Sequence, residues 1–208
     1  MINETSKPSS QHIYPWRLVM IKKAMLVIVS VVLLFTLSGT TRSVAGKAPE
    51  ITTSYFVDDT GSGTTCTQAA PCLLATALSK SDTFFNIYFA AGVYTGTGDE
   101  VIYIDSYKVI NLYGGWDGTT AYPPVRDPDT HVSIIDGEGM RRGIKIEFKV
   151  GPEILAPVIN GLSITGGNGS VLTGADCSMS STDGCGGGIF SKYAAPEISF
   201  NKIYNNFA

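Results

Sequence analysis

Carboxylates at close spacing are the residues of this chain best suited to chemistry: Asp58 beside Asp59, and Asp127 with Asp129 across a proline. Hydrolysis of a glycosidic bond uses two carboxyl groups at a defined separation, one as acid and the other as base or nucleophile. Both pairs flank stretches of strand character, however, where an aspartate side chain accepts bonds from its own backbone and makes a turn. The turn role is the expected one. His131 is the only histidine after residue 45, so a serine, histidine and aspartate triad would have to form around it, and nothing nearby in sequence supports one. Asp176 and Asp183 lie in the polar, glycine-rich segment from Gly166 to Gly188. That segment has no carboxylates at alternate positions closed by a glutamate, which excludes the helix-loop-helix calcium site. Weak calcium binding is the most metal chemistry left to it, and no cofactor is expected. Tyr88, Tyr113 and Trp116 offer something different. Alternation places them at outward or corner positions, where aromatic faces can stack on sugars, although scattered aromatics are also common on β proteins that bind nothing.

The cysteines form two close pairs, Cys66 with Cys72 and Cys177 with Cys185. An even number in an exported chain favours disulfides. Of the three connectivities open to four cysteines, the local one closes two small loops and is the expectation. A metal site would want cysteines about two to four residues apart and a histidine close by. On this reading the Gly166 to Gly188 segment is an insertion at a corner, held by its disulfide because it has little core of its own.

Export is read from the N-terminus. Lys22 and Lys23 precede the apolar run Ala24 to Leu37, which leads to Ser38, Gly39, Thr40 and then Ser43, Val44 and Ala45. Basic, apolar, then small and polar is the order of a secretory signal. Residues 1–45 are assigned to it, with cleavage after Ala45, and residues 46–51 to a short linker. The other reading is an uncleaved anchor, but the apolar run has 14 residues against roughly 20 for a spanning helix. Residues 1–19 make a long leader, with Met20 and Met25 as alternative starts. Loss of residues 1–45 removes five of 15 basic side chains and one of 18 acidic ones, leaving ten against 17, a net charge of −7. Nucleic acid is not an expected partner, because phosphate binding needs clustered Lys and Arg. A neutral glycan is compatible, and membrane contact is expected only through the signal segment. The expected location is extracellular or at the cell surface, or the periplasm or outer membrane in a host that has them.

The elements that must position these residues lie within 52–208. Tyr55, Phe56 and Val57 read as a strand ended by Asp58 and Asp59. Pro71 to Ser79, with leucines at 73, 74 and 78, has helical spacing behind a proline start. It is the one helix expected, a cap over the first apolar layer. Short apolar stretches punctuated by glycine follow: Ile87 to Phe89, Ile110 to Leu112, Ile134 and Ile135, Leu162 to Ile164, and Ile189 after Gly186 to Gly188. Successive intervals from Ile87 through Leu112, Ile134 and Leu162 to Ile189 are 25, 22, 28 and 27 residues, a range typical of stacked repeats. Leu162 and Ile164 are expected inward, Ser163 and Thr165 outward. Secondary strands are expected at Val101 to Ile104, Ile144 to Phe148 and Ile198 to Ile203. Many strands, one helix and few two-residue turn signals favour an all-β right-handed parallel β-helix, a solenoid, over a sandwich.

Leu112-Tyr113-Gly114-Gly115-Trp116, Ile134-Ile135-Asp136-Gly137, Asn160 through Gly167 and Gly186-Gly187-Gly188-Ile189-Phe190 together resemble the N-terminal part of secreted bacterial right-handed parallel β-helix proteins of the pectin-lyase-like group. Ala70-Pro71-Cys72 before the helix and Ile87 through Tyr94 after it look like that group's cap and first turn. The resemblance spans roughly residues 52 to 208. Some members are polysaccharide lyases or hydrolases; others are adhesins or surface proteins without catalysis. The lyases use calcium held by acidic side chains, with a basic residue to take a proton from the sugar. Arg141 and Arg142, after Asp136 and Glu138, are the residues that role would fall on, if they face outward near acids. No lyase motif matches residue by residue, and outward charges on a solenoid are ordinarily solvated surface.

The resemblance implies a secreted or surface β-helix; with no dense acidic or basic cluster, one histidine after residue 45 and strands accounted for by packing, the expected role is a structural or glycan-binding and adhesive module without catalysis in this chain. The alternative is the N-terminal fragment of a polysaccharide lyase or glycoside hydrolase whose site lies on later turns. At this spacing the next inward strand would begin a few residues past Ala208, with nothing to cover the last one. The chain is accordingly expected to be part of a longer protein, or to associate edge to edge at that last turn.

Overall fold

Where apolar and polar residues alternate, the backbone is extended and pairs with its neighbours. The computed structural model describes residues 53–148, 156–170 and 185–208. The signal segment 1–45, the linker 46–51, Cys177, Asp176 and Asp183 lie outside the described residues. Those described contain twelve strands and one short helix. In chain order they are β1 (Thr53–Val57), α1 (Leu74–Leu78), β2 (Phe84–Ala90), β3 (Gly92–Tyr94), β4 (Glu100–Asp105), β5 (Val109–Trp116), β6 (Ser133–Asp136), β7 (Arg142–Glu147), β8 (Val158–Asn160), β9 (Ser163–Thr165), β10 (Ile189–Lys192), β11 (Glu197–Ser199) and β12 (Lys202–Ile203).

These strands build three sheets, ordered β1-β2-β5-β8-β11, β3-β6-β9-β12 and β4-β7-β10. Every strand pair is parallel. From β2 onward the chain visits the first, second and third sheets in strict rotation, so each circuit lays one strand on each face. Parallel neighbours cannot be joined by a tight hairpin, and going round through two other sheets supplies the long return they need. The fold is all-β with almost no helix, as the strand count led us to expect.

The core is a set of apolar columns running through the circuits. Ile102, Ile144 and Ile189 stack on the third sheet, and Tyr94, Ile135, Ile164 and Ile203 on the second. On the first sheet the column is Tyr55, Ile87, Leu112, Ile159 and Ile198. Ile87, Ile102, Leu112, Ile135, Ile144, Ile159 and Ile164 have no more than a trace of exposed surface. Burying each such side chain contributes about 1.5–3 kcal/mol.

Several expectations need correcting. The intervals between glycine-punctuated strands do not measure a repeat, because Ile87 and Leu112 belong to the first sheet, Ile134 to the second and Ile189 to the third. Residues that do stack on the first sheet are separated by 32, 25, 47 and 39 residues from Tyr55 to Ile198. Circuit length varies while register holds, apart from a one-residue shift between Tyr88 and Ala90 on β2. Ile198 to Ile203 is not one strand but two, β11 and β12, on different sheets, broken at Phe200 with φ 56°. Ser163, expected outward, is 5% exposed and covered by the neighbouring circuits.

The capping helix is shorter than its leucine spacing suggests. Cys72 pairs in parallel with Val57, its N–H donating to Phe56 O and its carbonyl accepting from Asp58 N–H. That extended geometry delays the helix past Pro71 to Leu74 and leaves Leu73 47% exposed. Leu74 and Ala77 do reach the core, with Leu78 packed against it. A single turn is too short to hold itself in water, so this packing is what holds it.

Candidate functional site

The outer side of the first sheet carries an aromatic stack. Phe56, Tyr88 and Tyr113 are register partners on β1, β2 and β5. Phe56 and Tyr88 rings lie 5.1 Å apart and nearly parallel, and Tyr88 and Tyr113 rings 5.2 Å apart in the same manner. Both faces of Tyr88 are thus occupied by its neighbours. Trp116 is 1% exposed, its ring 4.9 Å from Phe56 and its Nε1–H donating to Thr119 O at 3.1 Å. Trp116 does stand on the outer side, packed with Phe56, Ala90 and Tyr88, but it is buried rather than open to a sugar: the chain after it folds back, pairing Arg126 with Trp116 and placing Thr119 O on the indole. Burial pushes the Tyr88 and Tyr113 hydroxyls above the ordinary tyrosine range.

Arg126 closes the stack. Its guanidinium lies 5.0 Å from the Tyr113 ring centroid, on an arm fixed by three hydrogen bonds. Nε donates to Gly114 O at 2.8 Å, and Nη2 to Asn160 O at 3.1 Å and Asn160 Oδ1 at 2.7 Å. Gly161 makes room for it, and Gly114 makes room for Gly161. A Cβ on Gly161 would stand 2.7 Å from Nη2, and one on Gly114 would strike Gly161 O at 2.1 Å. Gly161 also has φ 75°, a conformation open to glycine and strained for others. Half-burial weakens the guanidinium's hold on its proton, an effect the nearby tyrosines partly offset.

Beside Arg126 opens a groove of about 460 Å³ lined by Pro128, Asp129, Asn160, Phe200, Asn201 and Lys202. Lys202 Nζ reaches Asp129 Oδ1 at 2.9 Å, both side chains mostly in solvent, so the pair adds little stability. Asn201 ties the corner down, its Oδ1 accepting from Leu162 N–H and its Nδ2 donating to Ile159 O. Phe200 is 85% exposed.

The other candidates serve the backbone. Asp58 Oδ1 accepts from Thr60 N–H and hydroxyl, and Asp59 Oδ2 from Val93 N–H. Asp127 accepts from Asp129 and Thr130 N–H and from the Thr130 hydroxyl, which holds its carboxyl below the usual range. Asp136 Oδ1 accepts from Glu138 N–H. Asp58, Asp127 and Asp136 are turn aspartates, as expected, whereas Asp59 reaches across to the N–H of Val93 on β3. The His131 N–H donates to Asp127 O, closing the same turn.

Arg141 bonds Glu138 and donates to Gly98 O. Arg142, which a proton-abstracting role would need on the surface, is 4% exposed, 4.7 Å from the Phe190 ring and donating to Cys185 O at 3.3 Å. The next circuit buries it: Gly143 and Ile144 N–H donate to Gly187 O and Gly188 O, bringing that glycine run down onto β7. Cys66 and Cys72 form the expected disulfide, with Cα atoms 4.7 Å apart. Cys185 is disulfide-bonded too, while Cys177 lies outside the described residues. Among the described residues no three His, Cys, Asp or Glu side chains gather as a metal site, and no helix is long and apolar enough to cross a membrane.

Sequence reasoning missed Arg126, Phe200 and Lys202. Signals existed for the first: an arginine behind two prolines in a long connection, opposite paired glycines that only a close approach would require. Comparison with protein-family models, with curated proteins and with solved structures finds no match to this chain.

Proposed function

We propose that this chain is an exported right-handed parallel β-helix related to the pectin-lyase-like group, acting as a non-catalytic surface module that binds a glycan. The observation that carries the reading is the strict rotation through three parallel sheets. A parallel crossover is right-handed in about 98% of cases, which supports that hand. Solenoids present long, rigid outer faces and use them for binding. Support for a non-catalytic role comes from the occupation of the polar groups: the turn aspartates hold backbone N–H groups, and Arg142 is buried. Contact with a sugar then falls to the groove beside Arg126 rather than to the stacked faces of Tyr88 and Tyr113. The N-terminal segment directs export and is cleaved after Ala45.

Depletion on insoluble cellulose, xylan, chitin, agarose and gelled κ-carrageenan, with assays for reducing ends and unsaturated products, tests this. Retention on at least one polysaccharide without product is expected, from a secreted chain beginning at Gly46. Product release would overturn the non-catalytic reading. Folded protein retained on none would overturn the glycan reading.

A further inference from the structure

We propose that the groove beside Arg126 is a subsite for a tetrahedral oxyanion, a sulfate or phosphate ester carried on a sugar ring; the sugar part rests on the glycan reading above. Arg126 is half-buried, and among the described residues no carboxylate pairs with it. A guanidinium withdrawn from water is ordinarily paired. Here Nε and Nη2 go to neutral oxygens, and Nη1 donates to no protein atom among the described residues. Nη1 is not sealed in, since no buried side-chain nitrogen is left without a partner. The charge is thus held in place, partly desolvated and open on one nitrogen, in a chain whose exported part carries a net charge of −7.

Geometry selects the shape of the anion. A planar carboxylate binds arginine best side-on, through two parallel N–H groups. In Arg126 that fork is already spent, because both Nε and Nη2 are engaged. What remains is a single nitrogen and, across the groove, the exposed point charge of Lys202, held by a solvent-exposed ion pair with Asp129. Separate donors converging from different directions suit a tetrahedral group, whose oxygens also diverge.

Phe200 is an independent observation at the same groove. It occupies the corner that Gly161 occupies one circuit earlier, since Ser199 aligns with Asn160 and Lys202 with Ser163. Its φ of 56° strains any residue with a side chain, and its ring, 85% exposed, gains nothing from packing in return. Strain kept without a packing reason points to use. A flat ring beside two cations is what a sugar face bearing an ester would meet.

The test is calorimetric titration of the exported chain with a sulfated κ-carrageenan tetrasaccharide, the same tetrasaccharide after desulfation, tetragalacturonate and mannose 6-phosphate. The sulfated sugar, the phosphorylated one or both should bind at least about tenfold more tightly than the desulfated sugar and tetragalacturonate, the margin of one charge-assisted contact, and weaken as salt rises. Which of the two binds identifies the ester. Lys202→Gln and Phe200→Gly, both at exposed positions, should each weaken that binding several-fold. Arg126→Lys should do so too, and its folding is checked by circular dichroism. Binding of the sulfated and of the phosphorylated sugar no tighter than that of the desulfated one would overturn the oxyanion inference and leave the glycan reading standing. Preference for tetragalacturonate would overturn the tetrahedral assignment. Binding of none would overturn the inference, with the glycan reading decided separately by polysaccharide depletion.

Discussion

On the inner side of the first sheet, Tyr55, Ile87, Leu112, Ile159 and Ile198 continue one column through five strands. One residue further along the same strands, the outer side runs Phe56, Tyr88, Tyr113, Asn160 and Ser199. The inner column stays apolar from end to end. The outer one changes character at Asn160: aromatic rings give way to small polar groups, and Arg126 lies across the junction, on Tyr113 and bonded to Asn160. An inner position must fill a closed space, so its residue type is set by volume and apolarity. An outer position is set by what lies above it, and here that is the 117–132 connection for some circuits and solvent for others. The groove beside Arg126 sits where the cover ends.

The largest test of this contrast compares Leu112→Ala with Tyr88→Ala in urea unfolding. Leu112 is fully buried, so its truncation should cost about 2–5 kcal/mol. Tyr88 is half-buried between two rings, and its loss should cost about 1–2 kcal/mol, chiefly the two stacking contacts. Equal costs would mean that the outer stack is a second core rather than a surface ladder.

The inner side was legible in the sequence because alternation reports which residues face a closed interior. Leu162 and Ile164 are inward as their spacing implied, and so is Ile144. Circuit length was not legible. Connections such as 117–132 lengthen a circuit without shifting register, so Leu112 and Ile159 stack across 47 residues while Ile87 and Leu112 stack across 25. Nor could alternation tell sheet from sheet, which is how Ile87, Ile134 and Ile189 came to look like one series. Phe200 shows the limit most plainly. It falls inside the single strand expected from Ile198 to Ile203, yet one left-handed residue turns the chain there and sends the ring into solvent. The aromatic stack, likewise, exists only once β1, β2 and β5 are known to be adjacent.

A smaller effect is expected at the corner itself, with opposite signs in successive circuits. Gly161→Ala places a side chain on a backbone at φ 75° and pushes on Arg126, costing about 1–2 kcal/mol. Phe200→Gly relieves the same conformation and removes a ring that packs on little, a gain of up to about 1 kcal/mol after the added freedom of the unfolded chain is counted. Thermal unfolding of the two variants measures both. If Phe200→Gly destabilises, the ring is packing against something, and the contrast between a sealed inner side and an open outer corner fails at that point.

The smallest effect lies at the start of the inner column and is confined to alkaline solution. Tyr55 heads that column with its ring edge-on to Phe85, 5.3 Å away, and its hydroxyl donating to Asp82. Burial, then the bond to Asp82 and the charge of that carboxylate, raise its pKa from 10.0 to about 12. Tyrosine is charged only when deprotonated, so a raised value means that the fold favours the neutral form. The stability this confers is fully present below pH 10 and is lost as pH rises from 10 towards 12. Selective labelling of the tyrosine rings and titration by NMR should find Tyr55 unionised at pH 11. Asp82→Asn should lower the midpoint only in part, because burial is the larger cause. A midpoint near 10 in the unaltered chain would show the head of the inner column to be as open to water as the outer groove, and the two sides would then differ in residue type but not in sealing.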